Sequence, residues 1–298
     1  MVIFFLSLYK YNPMNKLLLF LFFYLPLVSQ ISSQSNDPIV ENTELRKVRF
    51  GLYGEGALCW LTPDKQKNYS RGNLGLGLGW GLDVEINFNS TTTLRTGLNL
   101  STFNAGINYY DDNLDAIHET FYVLSVDDDF VTWLEDSPPP NGDLYQLLHR
   151  KYSISYVNIP FVLKLKTNEV GYFTYFGEFG GTIGLKTGAL VDDRIIPFTY
   201  NSDTLNPLIN ESFVLEDIDI SKGTQPVRFG LNLGAGAEYS LSGSTSLFFQ
   251  LNWNYFITNQ LTKESNEDFL RKQENGFFAP VGVKSFPGNI VLSFGILF

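Results

Sequence analysis

The sequence predicts an all-β fold: an antiparallel up-and-down transmembrane β-barrel of eight strands, with short turns at one end and long loops at the other. Three observations point there. The stretch LGLGLGWGLDVEINF, residues 74 to 88, alternates without a break; the pattern returns in seven further segments; and the connections between segments alternate in length. Successive strand side chains point to opposite faces. Leu74, Leu76, Leu78, Trp80, Leu82, Val84, Ile86 and Phe88 therefore share one face, and Gly75, Gly77, Gly79, Gly81, Asp83, Glu85 and Asn87 the other. Soluble strands usually run about 5 to 6 residues, whereas a tilted strand that crosses a bilayer needs about 9 to 11. The stretch has the longer reach, with its leucines toward lipid.

From the N-terminus, Met14, Asn15 and Lys16 precede the apolar run LLLFLFFYLPLV, residues 17 to 28, and then the small and polar SQISSQS. Such a run suits the core of a signal peptide and is short for a spanning helix. Residues 1–33 are thus expected to be a signal region that is removed, with Met14 a plausible true start. Residues 34–45 are expected to be a periplasmic segment, and 46–298 the barrel domain.

The strands follow in order. In KVRFGLYGEGALCW, Val48, Phe50, Leu52, Leu58 and Trp60 oppose Lys47, Arg49, Tyr53 and Glu55. After the 74–88 stretch, TTTLRTGLNLST sets Leu94, Leu98 and Leu100 against Arg95, Asn99 and Ser101. YVNIPFVLKLK sets Val157, Ile159, Phe161, Leu163 and Leu165 against Asn158, Pro160 and Lys164, and YFTYFGEFGGTIGLK sets Phe173, Tyr175, Phe179, Ile183 and Leu185 against Thr174, Glu178, Thr182 and Lys186. VRFGLNLGAGAEYSL sets Val227, Phe229, Leu231, Leu233 and Tyr239 against Arg228, Asn232 and Glu238. TSLFFQLNWNYFI sets Leu247, Phe249, Leu251, Trp253, Tyr255 and Ile257 against Gln250, Asn252 and Asn254; NIVLSFGILF closes the chain with Ile290, Leu292, Phe294, Ile296 and Phe298 together.

Every charge in these segments lies on the polar face, which is otherwise rich in glycine. That suits the inside of a narrow closed barrel. Glu55, Glu85, Arg95, Lys164, Glu178, Arg228 and Glu238 are expected to touch one another as a structural ion network, because unpaired charges inside a barrel cost several kcal/mol. Glu85 and Arg95 are the pair to test for direct contact.

Composition narrows the function. Charged residues are 17% and aromatics 15% of the chain, and the formal net charge is −10. A chain this acidic argues against binding a phosphate backbone, which needs a cationic surface, so nucleic acid is not expected as a partner. The single cysteine, Cys59, makes no internal disulfide, no Cys/His cluster points to a metal, and no cofactor is expected. Eight strands give an interior that side chains fill, whereas open pores use about 16 to 18, so no general-diffusion pore is expected.

The short connections are NSTT, TNEV and SGS; the long ones are residues 61 to 73, 103 to 152, 187 to 225 and 258 to 288. In the outer membrane short turns are periplasmic and long loops external. Closing the first strand on the last removes the sheet edges that hydrocarbon does not tolerate. With its signal region, GLGLGWGLDVE, YVNIPFVLKLK, FGLNLGAGAEY and the final phenylalanine of VLSFGILF, the chain resembles the PorT-like outer-membrane β-barrel proteins of Gram-negative bacteria over nearly its whole mature length. The resemblance implies an integral barrel surrounded by outer-membrane lipids and inserted by the barrel-assembly machinery, which reads a C-terminal aromatic such as Phe298. It also implies that some relatives take part in protein secretion.

The loops carry the functional expectations. Asp111, Asp112, Asp115, Glu119, Asp127, Asp128, Asp129, Glu135, Asp136 and Asp143 crowd the 103–152 loop, but their spacing does not match the DxDxDG calcium loop, so no metal ligand is assigned. FYVLSV with FVTWL, and ALVDDRIIPFTY with FVLEDIDI, read as hairpins that either stand above the membrane as a platform, the arrangement preferred, or raise the strand number to ten or twelve. His118 and His149 have Ser125, Ser137 and Ser153 in their region but no GxSxG setting, so no catalytic residue is assigned. The expected function is structural or surface-interacting, through the acidic loops. The alternatives are a component supporting secretion, with secretion or surface proteins as partners, and a small lipid-modifying enzyme.

Overall fold

The computed structural model describes residues 46–64, 69–110, 119–127, 129–131, 142–201, 204–209, 211–262, 269–272, 278–280 and 282–298. The expected signal region and the 34–45 segment lie outside the described residues, as do Asp111, Asp112, Asp115, His118, Asp128, Glu135, Asp136 and Ser137. The strands are β1 (Val48–Pro63), β2 (Ser70–Asn87), β3 (Thr92–Asn108), β4 (Thr120–Leu124), β5 (Phe130–Val131), β6 (Asp143–Lys166), β7 (Phe173–Asn201), β8 (Thr204–Pro207), β9 (Phe213–Asp219), β10 (Val227–Ser242), β11 (Thr245–Phe256), β12 (Leu270–Lys272), β13 (Phe278–Pro280) and β14 (Ser285–Leu297).

Eight of them close a ring in the order β1, β2, β3, β6, β7, β10, β11, β14 and back to β1, every pair antiparallel. β1 and β14 pair from Gly51↔Leu297 to Pro63↔Ser285, so the ring presents no free edge between the first strand and the last. At the short-turn end, Asn89 Oδ1 accepts from the amides of Thr91 (2.9 Å) and Thr92 (2.7 Å) and tightens the β2–β3 turn. The β10–β11 turn needs the left-handed conformation of Gly243 (φ 56°), which a side chain would strain.

The 103–152 and 187–225 stretches are not simply loops, and that expectation is corrected: β3 runs on to Asn108, β6 begins at Asp143 and β7 continues to Asn201. β6 has 24 residues and β7 has 29, more than twice what a crossing requires. The continuation escapes a search for outward leucines because its alternation changes phase. Along β6, Tyr152, Ile154 and Tyr156 are buried inside while Lys151, Ser153 and Ser155 point out; one residue later Val157 and Ile159 point out and Asn158 points in. The strand does not bulge here against β3. β3 changes in the same way between outward Leu98 and Leu100 and inward Phe103, Ala105 and Ile107. Physically, the outside solvent changes from hydrocarbon to water at this height, so the apolar side of the sheet moves from the outer wall to the inner one.

The long-loop half accordingly holds an apolar core where loops were expected. Tyr69, Tyr109, Tyr122, Tyr152, Ile154 and Phe269 lie within one buried cluster. Tyr109 stacks on Phe269 (5.5 Å between ring centroids), and its hydroxyl lies 2.8 Å from that of Tyr152. Burying such a side chain contributes roughly 1.5–3 kcal/mol, so the cluster fixes this half as firmly as a soluble core would. Of the two expected hairpins, the first, β4 and β5, packs on this core above the ring, whereas the ALVDDRIIPFTY arm of the second is the upper part of ring strand β7 and its FVLEDIDI arm is β9. β4 and β5 pair through Val123↔Val131 and Leu124↔Phe130, and β4 lies along the upper part of β6. β9 lies along the upper part of β7, from Leu190↔Asp219 to Ile195↔Phe213.

Candidate functional site

Inward positions on neighbouring strands stack the lumen charges in layers. Nearest the short turns, Lys164 Nζ of β6 lies 2.6 Å from Glu85 of β2 and 2.6 Å from Glu238 of β10. Lys166 approaches the same two carboxylates at 3.1 and 3.3 Å, and Arg49 of β1 at 3.5 and 2.7 Å. Lys164 Nζ also sits 3.9 Å from the ring centroid of Phe176. In the next layer Arg95 donates to Glu178 at 2.7 Å and reaches both oxygens of Asp83 at 3.4 Å. All these side chains are almost wholly buried, and each carboxylate has a cation beside it.

The structure brings five of the seven expected network residues into ion pairs and leaves two outside them. Arg228 makes no ion pair among the described residues, and its place in the expected network is corrected. Its guanidinium lies 3.5 Å over the ring of Tyr156 and 4.0 Å from that of Phe256, and donates to Asn158 Oδ1 at 3.0 Å. Gly184 makes this possible, because a Cβ there would stand 2.7 Å from Arg228 Nε. Glu55 likewise makes no ion pair among the described residues; it faces Arg228 and Arg95 across a cavity of about 60 Å3 lined with asparagines. Cation–aromatic contact and carboxamides replace ion pairing at this height. Glu85 and Arg95 are Cα partners on β2 and β3, yet their charged ends go to Lys164 and to Glu178. Arg49, Asp83 and Lys166 were missed as members, although the parity that placed the others inside also placed them there.

This geometry redirects the charge-exchange experiment. Glu85→Lys with Lys164→Glu should recover part of the heat resistance lost in either single variant, because the pair re-forms with reversed sign while the new carboxylate faces Glu238. Glu85→Arg with Arg95→Glu should recover little, because those side chains meet different partners. Unboiled electrophoretic migration across a temperature series reads both.

Above the lumen layers, Arg150 of β6 and Asp193 of β7 form a two-pronged pair, Nε to Oδ1 at 2.7 Å and Nη2 to Oδ2 at 2.5 Å, with side chains 2% and 0% exposed. Burial disfavours the Arg150 charge, but the Asp193 carboxylate outweighs it and holds the guanidinium well above its usual pKa. Phe269, Phe130 and Tyr122 surround it at 5.0, 5.3 and 5.6 Å, so three loop-borne segments converge on one cation. Sequence reading passed over the pair because it lies where the alternation has changed phase.

His149 points outward, with Nδ1 2.7 Å from Asn108 Oδ1; burial and the nearby charge of Arg194 push its pKa down. Ser125 Oγ accepts from the amides of Asp127 and Asp129 in the β4–β5 turn, and Ser153 lies on the outer wall of β6. No serine is hydrogen-bonded to His149 among the described residues. Nor is any group of three or more His, Cys, Asp or Glu side chains placed to hold a metal ion among them. Phe298 lies at the short-turn end, its amide and carbonyl both bonded to Phe50 and its ring exposed.

The sequence model of the family described as "Outer membrane protein beta-barrel domain" matches residues 29–262. Among solved structures the chain is similar to Neisserial surface protein A, at 10% identity with 83% of this chain and 95% of that one covered and a TM-score of 0.35. It is similar to the Pseudomonas aeruginosa outer membrane protein OprG at 11% identity, with 85% and 96% covered and a TM-score of 0.40. A major outer membrane protein from Thermus thermophilus gives 11% identity, 84% and 98% coverage and a TM-score of 0.33. No curated protein matches the sequence.

Proposed function

The chain belongs to the outer membrane protein β-barrel-domain family, and from that premise we propose that it is a surface-interaction protein, a sealed ring that holds a rigid sheet above the bilayer. It is an integral protein of the outer membrane. In this reading the short turns are periplasmic, the long-loop half stands outside the cell, and the final residue Phe298 serves assembly. The lumen charges hold the ring together and the apolar core closes it, so no open diffusion path and no catalytic role are assigned.

The observation that carries the reading is an apolar patch on the long-loop half. Leu208 (64% exposed), Ile209 (55%), Phe213 and Val214 lie beside the upper end of β7, where Leu208 bonds to Pro197 and Phe213 pairs with Ile195. Elsewhere on this outer wall β3 and β6 present asparagine, serine, histidine and lysine. Contiguous exposed apolar groups mark interaction surfaces. A photo-crosslinking side chain at position 213, on intact cells, should yield a discrete protein adduct that Leu208→Ser with Ile209→Ser reduces at least several-fold. A folded, surface-exposed barrel that gives no adduct would overturn the reading. The PorT-like motifs support a narrower version in which the partner is an exported protein.

A further inference from the structure

The outer wall above the apolar band brings two cations, Lys151 and Arg194, close together. His149 of β6 is the register partner of Arg194 of β7, and Lys151 of β6 the partner of Asp192. Because every second residue of a strand shares a face, these four side chains form a two-by-two tile on the outside of the sheet. Diagonal neighbours across adjacent strands lie about 7–8 Å apart, so Lys151 and Arg194 can close on one tetrahedral anion. The tile is braced from both sides. Asn108 of β3 holds His149 Nδ1 at 2.7 Å, and Asp192 holds Lys151 Nζ at 2.9 Å while also accepting from the Asp217 amide at 3.3 Å. Lys151 keeps 54% of its side chain exposed, and Arg194 is exposed and makes no ion pair among the described residues.

Height decides what stands against the tile. Val157 is the uppermost outward apolar residue of β6, and Lys151 lies six positions above it (157 − 151). At about 3.3 Å per residue and a tilt near 40°, that is roughly 15 Å above the last outward apolar residue of β6. The polar layer of a phospholipid leaflet is only about 5–8 Å thick, so its phosphates sit too low. The wall is continuous with the lipid-facing band, and a glycolipid in the outer leaflet stands its saccharide against this height.

We propose that Lys151 and Arg194 bind a phosphate group carried on the sugars of an outer-leaflet glycolipid. Arg194 supplies a planar fork for two phosphate oxygens and Lys151 a point charge shared with Asp192, while His149, turned toward Asn108 of β3, borders the site.

Full-length protein refolded in detergent tests this by native mass spectrometry with four probes: phosphorylated lipopolysaccharide, the same material enzymatically dephosphorylated, phosphatidylglycerol and inorganic phosphate. The phosphorylated glycolipid should be retained and the dephosphorylated one lost. Lys151→Gln with Arg194→Gln should weaken retention about thirtyfold, the effect of two surface cations, with unboiled migration unchanged; Asp192→Asn should not weaken it. Equal retention with and without phosphate, or undiminished retention by the double variant, would sink the proposal. So would equal retention of phosphatidylglycerol, which would move the site down to the hydrocarbon edge. Displacement by equimolar inorganic phosphate would make the ligand a free anion instead and overturn the assignment equally.

Discussion

Arg150→Met should open the long-loop half to protease while the membrane ring stays folded. Asp193 is fully buried, and its hydrogen-bonded cation in the structure is Arg150. Removing one partner of a buried pair leaves an uncompensated charge and costs about 3–5 kcal/mol. The loss should be felt first in the β4–β5 hairpin and at Phe269, whose rings pack around the guanidinium. Brief proteolysis should cut the variant above the membrane, whereas unboiled migration should still report a closed ring. Arg150→Met with Asp193→Leu should restore most of the resistance, because a buried pair replaced as a whole by apolar groups is often no less stable. A double variant as labile as the single would show that the pair orients the loops in a way that apolar packing does not reproduce.

Arg95→Met should instead strike the ring. It strands two buried carboxylates, Asp83 and Glu178, neither of which has a second cation within ion-pair distance among the described residues. A cost of about 3–5 kcal/mol is expected on the same grounds, read as a lower urea midpoint for refolding in detergent and a lower temperature for loss of compact migration. Adding Glu178→Gln should recover part of it by removing one stranded charge. Lys164→Met should be milder, since Lys166 and Arg49 still face Glu85 and Glu238. If the two substitutions were equally harmful, the neighbouring cations would not share the charge as the distances imply.

The membrane half of the fold was legible because a lipid-facing position declares itself locally. Leu74, Leu76 and Leu78 are 59–73% exposed on the outer wall of β2. An unbroken run of leucines so exposed on one face suits a wall with hydrocarbon outside, and the pattern is read from the strand alone. The long-loop half was written in the same period of two but in the opposite phase, so that Tyr152 read as loop although the strand that carries Val157 and Ile159 begins at Asp143. Asking where the apolar parity inverts, instead of where it stops, would have found the upper parts of β3 and β6. On β7 a register shift between Ser155 and Tyr156 of β6 complicates the same change.

The sequence by itself determined the eight membrane strands, the side of each that meets lipid and the inward set of ions, because alternation and solvent preference belong to each residue and its two neighbours. Tertiary structure alone decided which charges meet. Arg95 lies opposite Glu85 along the backbone ladder, yet its guanidinium crosses to Glu178 on a strand 83 residues away. Long side chains in a closed ring reach across the lumen, and what they find there depends on strand tilt and register summed around the whole circumference.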